Sequence, residues 1–550
     1  MLLVFIFFCK LGIYVIMMRK CIFDFKQSLI TRHMRWRAIH QDTTVFKVNR
    51  PDTGHKNFPQ KKQVVVCGGG VTGASVLYHL AERGWTDSIL LEKGKFTSGT
   101  TWHAAGLISN FRSDKYEELC SYSKDLYKWM EENGYPTGFK KCGSLILASC
   151  SERLIYLKRI ADSCRFRGIK SEELSVSDVA RHSPWVNTEG LKGAILVPDD
   201  AVGSPVDICN SLIKLAKDKG AYAVERCNVE KIETSGGRVK SVYTNLGKID
   251  CEYVVLCGGL WTRELGTQIQ PPVNVPLHSA EHFYLITKPI EGVDTMHPVM
   301  RDQNIGSYVR EWGGGFLAGI FEKEAQPVFH NGPPKDSEFH MFPDNWGRYY
   351  HHYMPVMHRF PFLKKAEIRQ MFNGPESFTP DGLHFLGESP EVENLFIGAG
   401  MNSSGIVTAG GNGRILAELM NGEKPFVNLT KLDIKRCLGH QGNNKFLYDR
   451  TVELVGIHYT ISFPHQSFSE SARPMKTSNL YPFHKTNGAV FGVKNEVEFP
   501  LWFSSKGTVT PKRTFKKPPF FDDVGKEYNI CKNGVGVIDL TSQWSLWKLE

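Results

Sequence analysis

The sequence predicts an α/β fold, and three observations carry that prediction. A short β-branched run at 63–67 passes through a glycine turn into a helical stretch at 71–83, and a second short apolar run follows at 88–92. That is strand, turn, helix, strand. Further on, helical patterns at 115–133, 151–167 and 206–219 alternate with strand patterns at 229–233, 239–243 and 253–257, as α/β folds require. Third, the 550 residues suffice for roughly three domains, with 41% hydrophobic and 23% charged residues, an ordinary globular balance.

The glycine turn is the most informative element. Gly68, Gly69, Gly70, Val71, Thr72 and Gly73 fit G-x-G-x-x-G, and Glu92 stands 19 residues beyond Gly73, at the end of the second apolar run. A strand before the motif, a helix after it and an acid at that spacing are the context of a dinucleotide fingerprint. Gly68 permits the tight turn, Gly70 lets the backbone approach a pyrophosphate, and Gly73 lets helix and strand pack closely. The helix N-terminus offers free N–H groups to the phosphates. Glu92 can accept from ribose hydroxyls and would repel a ribose phosphate, which disfavours NADP. The fingerprint alone leaves FAD and NAD both open.

Charge excludes one function class. Of the net +10, residues 1–50 supply +7, from nine Lys/Arg against two acids. The other 500 residues are nearly balanced, without the basic, aromatic-interleaved stripe that nucleic acid binding requires. The basic segment suits an N-terminal leader at 1–60, read as a mitochondrial transit peptide, with the apolar residues 1–18 as a signal or weak anchor. Matrix location and no stable membrane span in the mature protein are expected. The 13 cysteines are odd in number and lack CxxC spacing, so they read as buried thiols in a reducing compartment. His351, His352 and His358 lack carboxylate or Cys partners at ligand spacing and read as a helix surface, so no metal is expected.

Beyond Glu92 runs Ser98, Gly99, Thr100, Thr101, Trp102, His103, Ala104, Ala105 and Gly106. Later come Cys257-Gly258-Gly259-Leu260-Trp261, His282-Phe283-Tyr284, Gly374-Pro375-Glu376-Ser377-Phe378-Thr379-Pro380-Asp381, and Gly398-Ala399-Gly400-Met401-Asn402-Ser403-Ser404-Gly405. Tyr459 to His465 reads YTISFPH. In this order the motifs resemble the dimethylglycine/sarcosine dehydrogenase family over about residues 60–550, most closely sarcosine dehydrogenase. The resemblance implies a Rossmann-like FAD-binding domain interleaved with an antiparallel-sheet substrate domain of the amino-acid-oxidase type. It implies an oxidoreductase domain at 61–430, its substrate part at about 270–380, and a central, linker-like module at 431–515. At 516–550 it implies the incomplete start of a folate-binding, aminomethyltransferase-like region, in which about 30 residues cannot build a core. Tetrahydrofolate is therefore not expected as a cofactor.

The resemblance also implies roles. His103 would carry FAD covalently through the flavin 8α carbon. Thr101, Val229, Gly258, Gly259, Gly400, Asn402 and Gly405 would line the cofactor with Gly68, Gly70, Gly73 and Glu92, and the helix after Met401 would aim its N-terminus at the flavin. His282 and Tyr284, two apart and so on one face of a strand, would line the substrate cavity and help keep the amine neutral. Arg310 would grip the substrate carboxylate, with Arg301 as second choice. The implied reaction is oxidative demethylation of sarcosine or, next, dimethylglycine, by hydride transfer to flavin N5, with electrons leaving to electron-transferring flavoprotein. The stretch from Leu277 to Leu285 also resembles the regulatory subunit of pyruvate dehydrogenase phosphatase, a homologue expected to lack the flavin-linking histidine. A regulatory protein is the alternative reading.

Overall fold

A computed structural model describes residues 58–112, 116–464, 470–494, 496–506 and 513–541. The leader expected at 1–60 falls almost wholly outside the described residues, as do His465 and the last nine positions. Two sheets organise the rest. In the first, the strands Phe385–Glu388, Leu395–Ala399, Gly247–Leu256, Lys61–Cys67, Ser88–Leu91 and Tyr222–Val224 lie side by side in that order. All these pairings are parallel except that of Phe385–Glu388 with Leu395–Ala399. Val64, Val65 and Val66 are completely buried, as a strand covered on both faces must be.

The helix Val71–Glu82 is buried from Val71 through Ala81. It is apolar nearly all round because it lies between the sheet and two other helices, Pro205–Asp218 and Gly405–Met420. Its crossing with Gly405–Met420 depends on Gly413, where a Cβ would run into the Ser75 backbone and hydroxyl.

The second sheet has nine strands. His278–Thr287 pairs antiparallel with Ile368–Phe378 on one side and with Gly315–Ile320 on the other. Beyond Gly315–Ile320 come Ser307–Trp312, Val299–Asp302, Ser144–Ala148, Gly193–Val197 and Glu172–Leu174. It is antiparallel apart from the pairing of Val299–Asp302 with Ser144–Ala148. Three of its strands thus come from the chain well before residue 270, and the two sheets share one interleaved chain. The stretch after 440, which reads in sequence as irregular, contains the helix Asn444–Ile457, packed on His278–Thr287, and the hairpin Ala489–Lys494 with Val497–Phe503. The run at 536–540 forms no strand and is exposed except at Asp539, which accepts from the Ser478 hydroxyl at 2.8 Å. No disulfide joins any of the eleven described cysteines. No helix among the described residues is long and apolar enough to cross a membrane.

Gly413→Ala is expected to cost about 1–3 kcal/mol by overpacking the helix crossing, read as a lower midpoint in denaturant unfolding. Gly525→Ala, in a helix interior where nothing lies within 4 Å, is the control and should be neutral or stabilising by up to about 1 kcal/mol.

Candidate active site

A cavity of about 1040 Å³ runs along the junction of the two sheets. Its first end is built from the glycine turn. Gly68 has φ +117°, and a Cβ there would collide with the Cys257 carbonyl. A Cβ on Gly73 would collide with the Gly68 carbonyl oxygen, so this glycine brings helix and strand together and does not line the cavity. Gly70 lines the cavity and meets only Thr101 Oγ1, 3.2 Å from its would-be Cβ. That open side is where a pyrophosphate can approach. Thr101 Oγ1 accepts the Val71 N–H at 3.1 Å, tying the loop to the helix start.

Glu92 accepts from the Gly69 and Gly94 amides at 2.7 and 2.8 Å. Burial pushes its pKa up, against those two bonds and Lys93. Each carboxylate oxygen keeps a lone pair for a ribose hydroxyl. Val229, Gly258 and Gly259 line the same end. At the Gly405–Met420 helix Ser404 gives no side-chain cap, and Gly405, Ile406 and Val407 line the cavity, so the positive helix end faces into it. Asn402 also lines it, but its side chain is committed to Gly400 O and Thr379. Gly400 is a correction. It does not line the cavity, and a Cβ there would strike the Thr379 methyl, so it serves packing one layer back.

His103 ends the one-turn helix Thr101–His103 and lies against Gly374, where an added Cβ would come within 2.6–2.8 Å of three imidazole atoms. Trp102 meets the His103 ring edge-on at 5.5 Å and is itself backed by Phe339 and Phe372. Burial pulls the His103 pKa down to about 4. Its Nε2 is buried, lacks a hydrogen-bond partner and belongs to a residue of the cavity wall. A neutral ring with an unengaged nitrogen is what covalent attachment of a flavin needs. With the open Gly70 side and the uncapped helix end, the residues present fit FAD.

Beyond His103 the cavity is lined by His282, Tyr284, Tyr308, Phe321 and Glu376. His282 Nε2 and the Tyr308 hydroxyl share a hydrogen bond at 3.0 Å. Burial lowers the His282 pKa, with the Glu376 charge acting the other way. Glu376 accepts from the Ser403 hydroxyl. The helix Asn444–Ile457 and the residues after it contribute Arg450, Leu454, His458 and Tyr459 to the wall. Tyr308, Phe321 and His458 were not singled out from the sequence. Tyr308 was within reach of a register argument, since Gly319 lies between it and Tyr284 in the ladder. The signal that could have found the helix is the spacing of Phe446, Leu447, Leu454 and Val455 on one apolar face.

Arg310 is the second correction. Expected on the substrate carboxylate, it is buried away from the cavity lining. Its Nη1 donates to the carbonyls of Ala105, Gly106 and Gly203 at 2.9–3.4 Å, and its Nε to Glu311 O. Arg301 does line the cavity, and its Nε is buried without a partner. His351 and His358 lie exposed on the helix Trp346–Arg359, and His352 stands 3.5 Å from Glu322. Among the described residues no group of three or more His, Cys, Asp or Glu is arranged to hold a metal.

Arg310→Met should therefore act as a stability variant, costing about 2–3 kcal/mol for the charged donor lost from buried carbonyls. Denaturant unfolding checks this. A variant of full stability with substrate binding alone impaired would return Arg310 to the site.

Comparison with known proteins agrees with this geometry. Residues 63–419 match the family described as "FAD dependent oxidoreductase", and residues 421–478 match "FAD dependent oxidoreductase central domain". The chain is 38% identical to the mitochondrial pyruvate dehydrogenase phosphatase regulatory subunit of Mus musculus, over 88% of this chain and 56% of that one. It is 35% identical to a formaldehyde-forming 4-methylaminobutanoate oxidase of Paenarthrobacter nicotinovorans (89% and 59%) and 32% identical to human mitochondrial sarcosine dehydrogenase (88% and 56%). The chain thus spans somewhat more than half the length of these relatives. A solved L-proline dehydrogenase from P. horikoshii shares the fold, with TM-score 0.61 and 24% identity over 68% of this chain and 97% of that one. The chain belongs to the FAD-dependent oxidoreductase family, in the branch that holds the sarcosine and dimethylglycine dehydrogenases.

Proposed function

We propose that this chain oxidatively demethylates an N-methylated amino acid, with FAD held covalently by His103. One observation carries the reading: the buried, unpartnered His103 Nε2 at the cavity wall, on a ring that burial keeps neutral. Gly68, Gly70, Gly73, Glu92 and the helix ends at Val71 and Gly405 would hold the dinucleotide. FAD, when bound, supplies the hydride acceptor for the N-methyl carbon. The resulting iminium takes up water and leaves as formaldehyde and demethylated amine.

The chain's own residues prepare the amine. An incoming ammonium has no free lone pair, and hydride loss needs one. His282, whose pKa burial lowers so that the ring stays neutral, can take that proton directly or through the Tyr308 hydroxyl that shares a hydrogen bond with it at 3.0 Å and passes its own proton on. Sarcosine and dimethylglycine are the substrates the sequence resemblance implies. Electron transfer to electron-transferring flavoprotein and a matrix location are proposed on the same footing, the latter supported by mitochondrial relatives.

A second reading, a regulatory subunit without catalysis, is favoured by the 38% identity to the phosphatase regulatory subunit. Acid precipitation separates the two. The enzyme reading expects flavin in the protein pellet, lost to the supernatant in His103→Ala. A pellet without flavin from the unaltered chain refutes it. His282→Ala tests the proton role. Because burial lowers the His282 pKa, the acid limb it governs should lie below the ordinary histidine value of about 6.5. The variant should lose roughly 10²-fold or more in turnover together with that limb. Unchanged turnover across pH would remove His282 from the mechanism.

A further inference from the structure

Gly374 leaves a hole in the substrate sheet, and the His103 ring fills it, since an added Cβ would come within 2.6–2.8 Å of three imidazole atoms. Strand geometry says what frames that hole. Phe372 and Glu376 lie two residues to either side of Gly374, on its face and each about 7 Å away along the strand. On the facing strand His282 is the registered partner of Gly374, and Ala280 is that of Glu376. Registered residues share a face. His282 therefore stands beside the ring, and the small Ala280 leaves room beside the Glu376 carboxylate. Phe372 stacks on Tyr284 at 5.0 Å and meets Trp102 edge-on at 5.8 Å, which walls the far side.

Covalent attachment needs more than a free imidazole nitrogen. A methyl carbon that becomes bonded to Nε2 must also lose a proton. The base that takes it must face the same ring, because the carbon ends one bond away from that ring. Glu376, His282 and Tyr284 share this face and line the cavity. Burial pushes the Tyr284 phenol up, so it is no base near neutral pH. His282 has its Nε2 engaged with Tyr308. Glu376 is left, and its charge acts on His103, His282 and Tyr284 alike. Ser403, at φ +60°, donates its hydroxyl to Glu376 Oε2, whereas Oε1 accepts no hydrogen bond among the described residues. A carboxylate fixed by one oxygen and open at the other is arranged to take a proton.

We infer that Glu376 is the base in the attachment of the flavin to His103. This deepens the covalent reading proposed above and rests on it. His103 Nε2 forms a bond to the flavin 8α carbon. Glu376 Oε1 takes the proton which that carbon gives up, and the imidazole N–H proton leaves to water. For each attachment one C–H and one N–H bond break and one C–N bond forms. The two electrons and two protons released reduce dioxygen, taken from solution, to hydrogen peroxide. Ser403 stands two residues before Gly405, so the group that fixes the base adjoins the positive helix end that faces the cavity.

The test uses the full chain purified without flavin and follows attachment with no amine present. FAD is added in air. At intervals gel filtration removes unbound FAD, and acid precipitation then separates attached flavin in the pellet from loaded but unattached flavin in the supernatant. Glu376→Gln should load FAD as the unaltered chain does and attach it more slowly by about 10²-fold or more. Glu376→Asp should retain part of the rate. Glu376→Ala should be rescued by formate, at a rate that rises with formate concentration, which a packing role would not produce. Attachment by Glu376→Gln at the unaltered rate overturns the inference, and so does a Glu376→Ala chain that loads FAD and gains nothing from formate. Loss of FAD loading in all three variants also overturns it, by making Glu376 a packing residue. An unaltered chain whose pellet stays free of flavin refutes the covalent reading itself, whereas slow variants beside a fully attached unaltered chain support both.

Discussion

Arg310, buried on the substrate sheet, donates to the carbonyls of Ala105, Gly106 and Gly203 and so clamps the loop of the nucleotide half onto the substrate half. The contact is close enough to require glycine. Gly106 has φ +68°, and a Cβ there would strike the Gly203 carbonyl and come within 2.9 Å of Arg310 Nη1. Everything chemical depends on this join, because His103 sits three residues before Gly106 and meets the other sheet at Gly374. A buried guanidinium is a costly group to bury, and it is tolerated here because it donates to several carbonyls at once, of which Gly106 O also accepts the Gly203 N–H.

That clamp also explains how a sequence reading goes astray. Arg310 follows a tyrosine on a strand in the right part of the chain, and from the sequence an arginine there reads as an anion ligand. On a strand, however, sharing a face with a cavity residue is not enough. Tyr308 and Arg301 are registered partners and face the cavity. Arg310 is also on that face by alternation, but it lies two residues further along, where the nucleotide loop covers the sheet. Register between non-adjacent segments settles the matter, and spacing along the chain does not contain it.

The strand, glycine turn and helix at 61–82 were legible nearly to the residue. Gly68, Gly70, Gly73 and Glu92 are tied by local backbone geometry, since strand, turn and helix are consecutive and each glycine answers a steric demand from a neighbour. His103 was marked by its motif, and its setting against Gly374 is a tertiary fact joining segments 271 positions apart. The interleaving of the sheets was legible only in part. Ser144–Ala148 is assigned to the second sheet by its pairing with Val299–Asp302, and Gly193–Val197 by its pairing with Ser144–Ala148, contacts that spacing along the chain does not contain. The stretch after 440 was misjudged because its Pro, Ser and Asn content masks a helix with Phe446, Leu447 and Val455 on its buried face.

That helix divides labour within the molecule. The residues that would hold the cofactor all lie at or before Val407, whereas Arg450, Leu454, His458 and Tyr459 close the cavity from a later segment that matches a separately described central domain. The later stretch thus supplies one wall of a chamber whose other wall, with His282, Tyr284, Tyr308 and Phe321, belongs to the same stretch as the glycine turn. A change confined to the later stretch would therefore reshape one wall of the cavity and leave the residues of the glycine turn untouched.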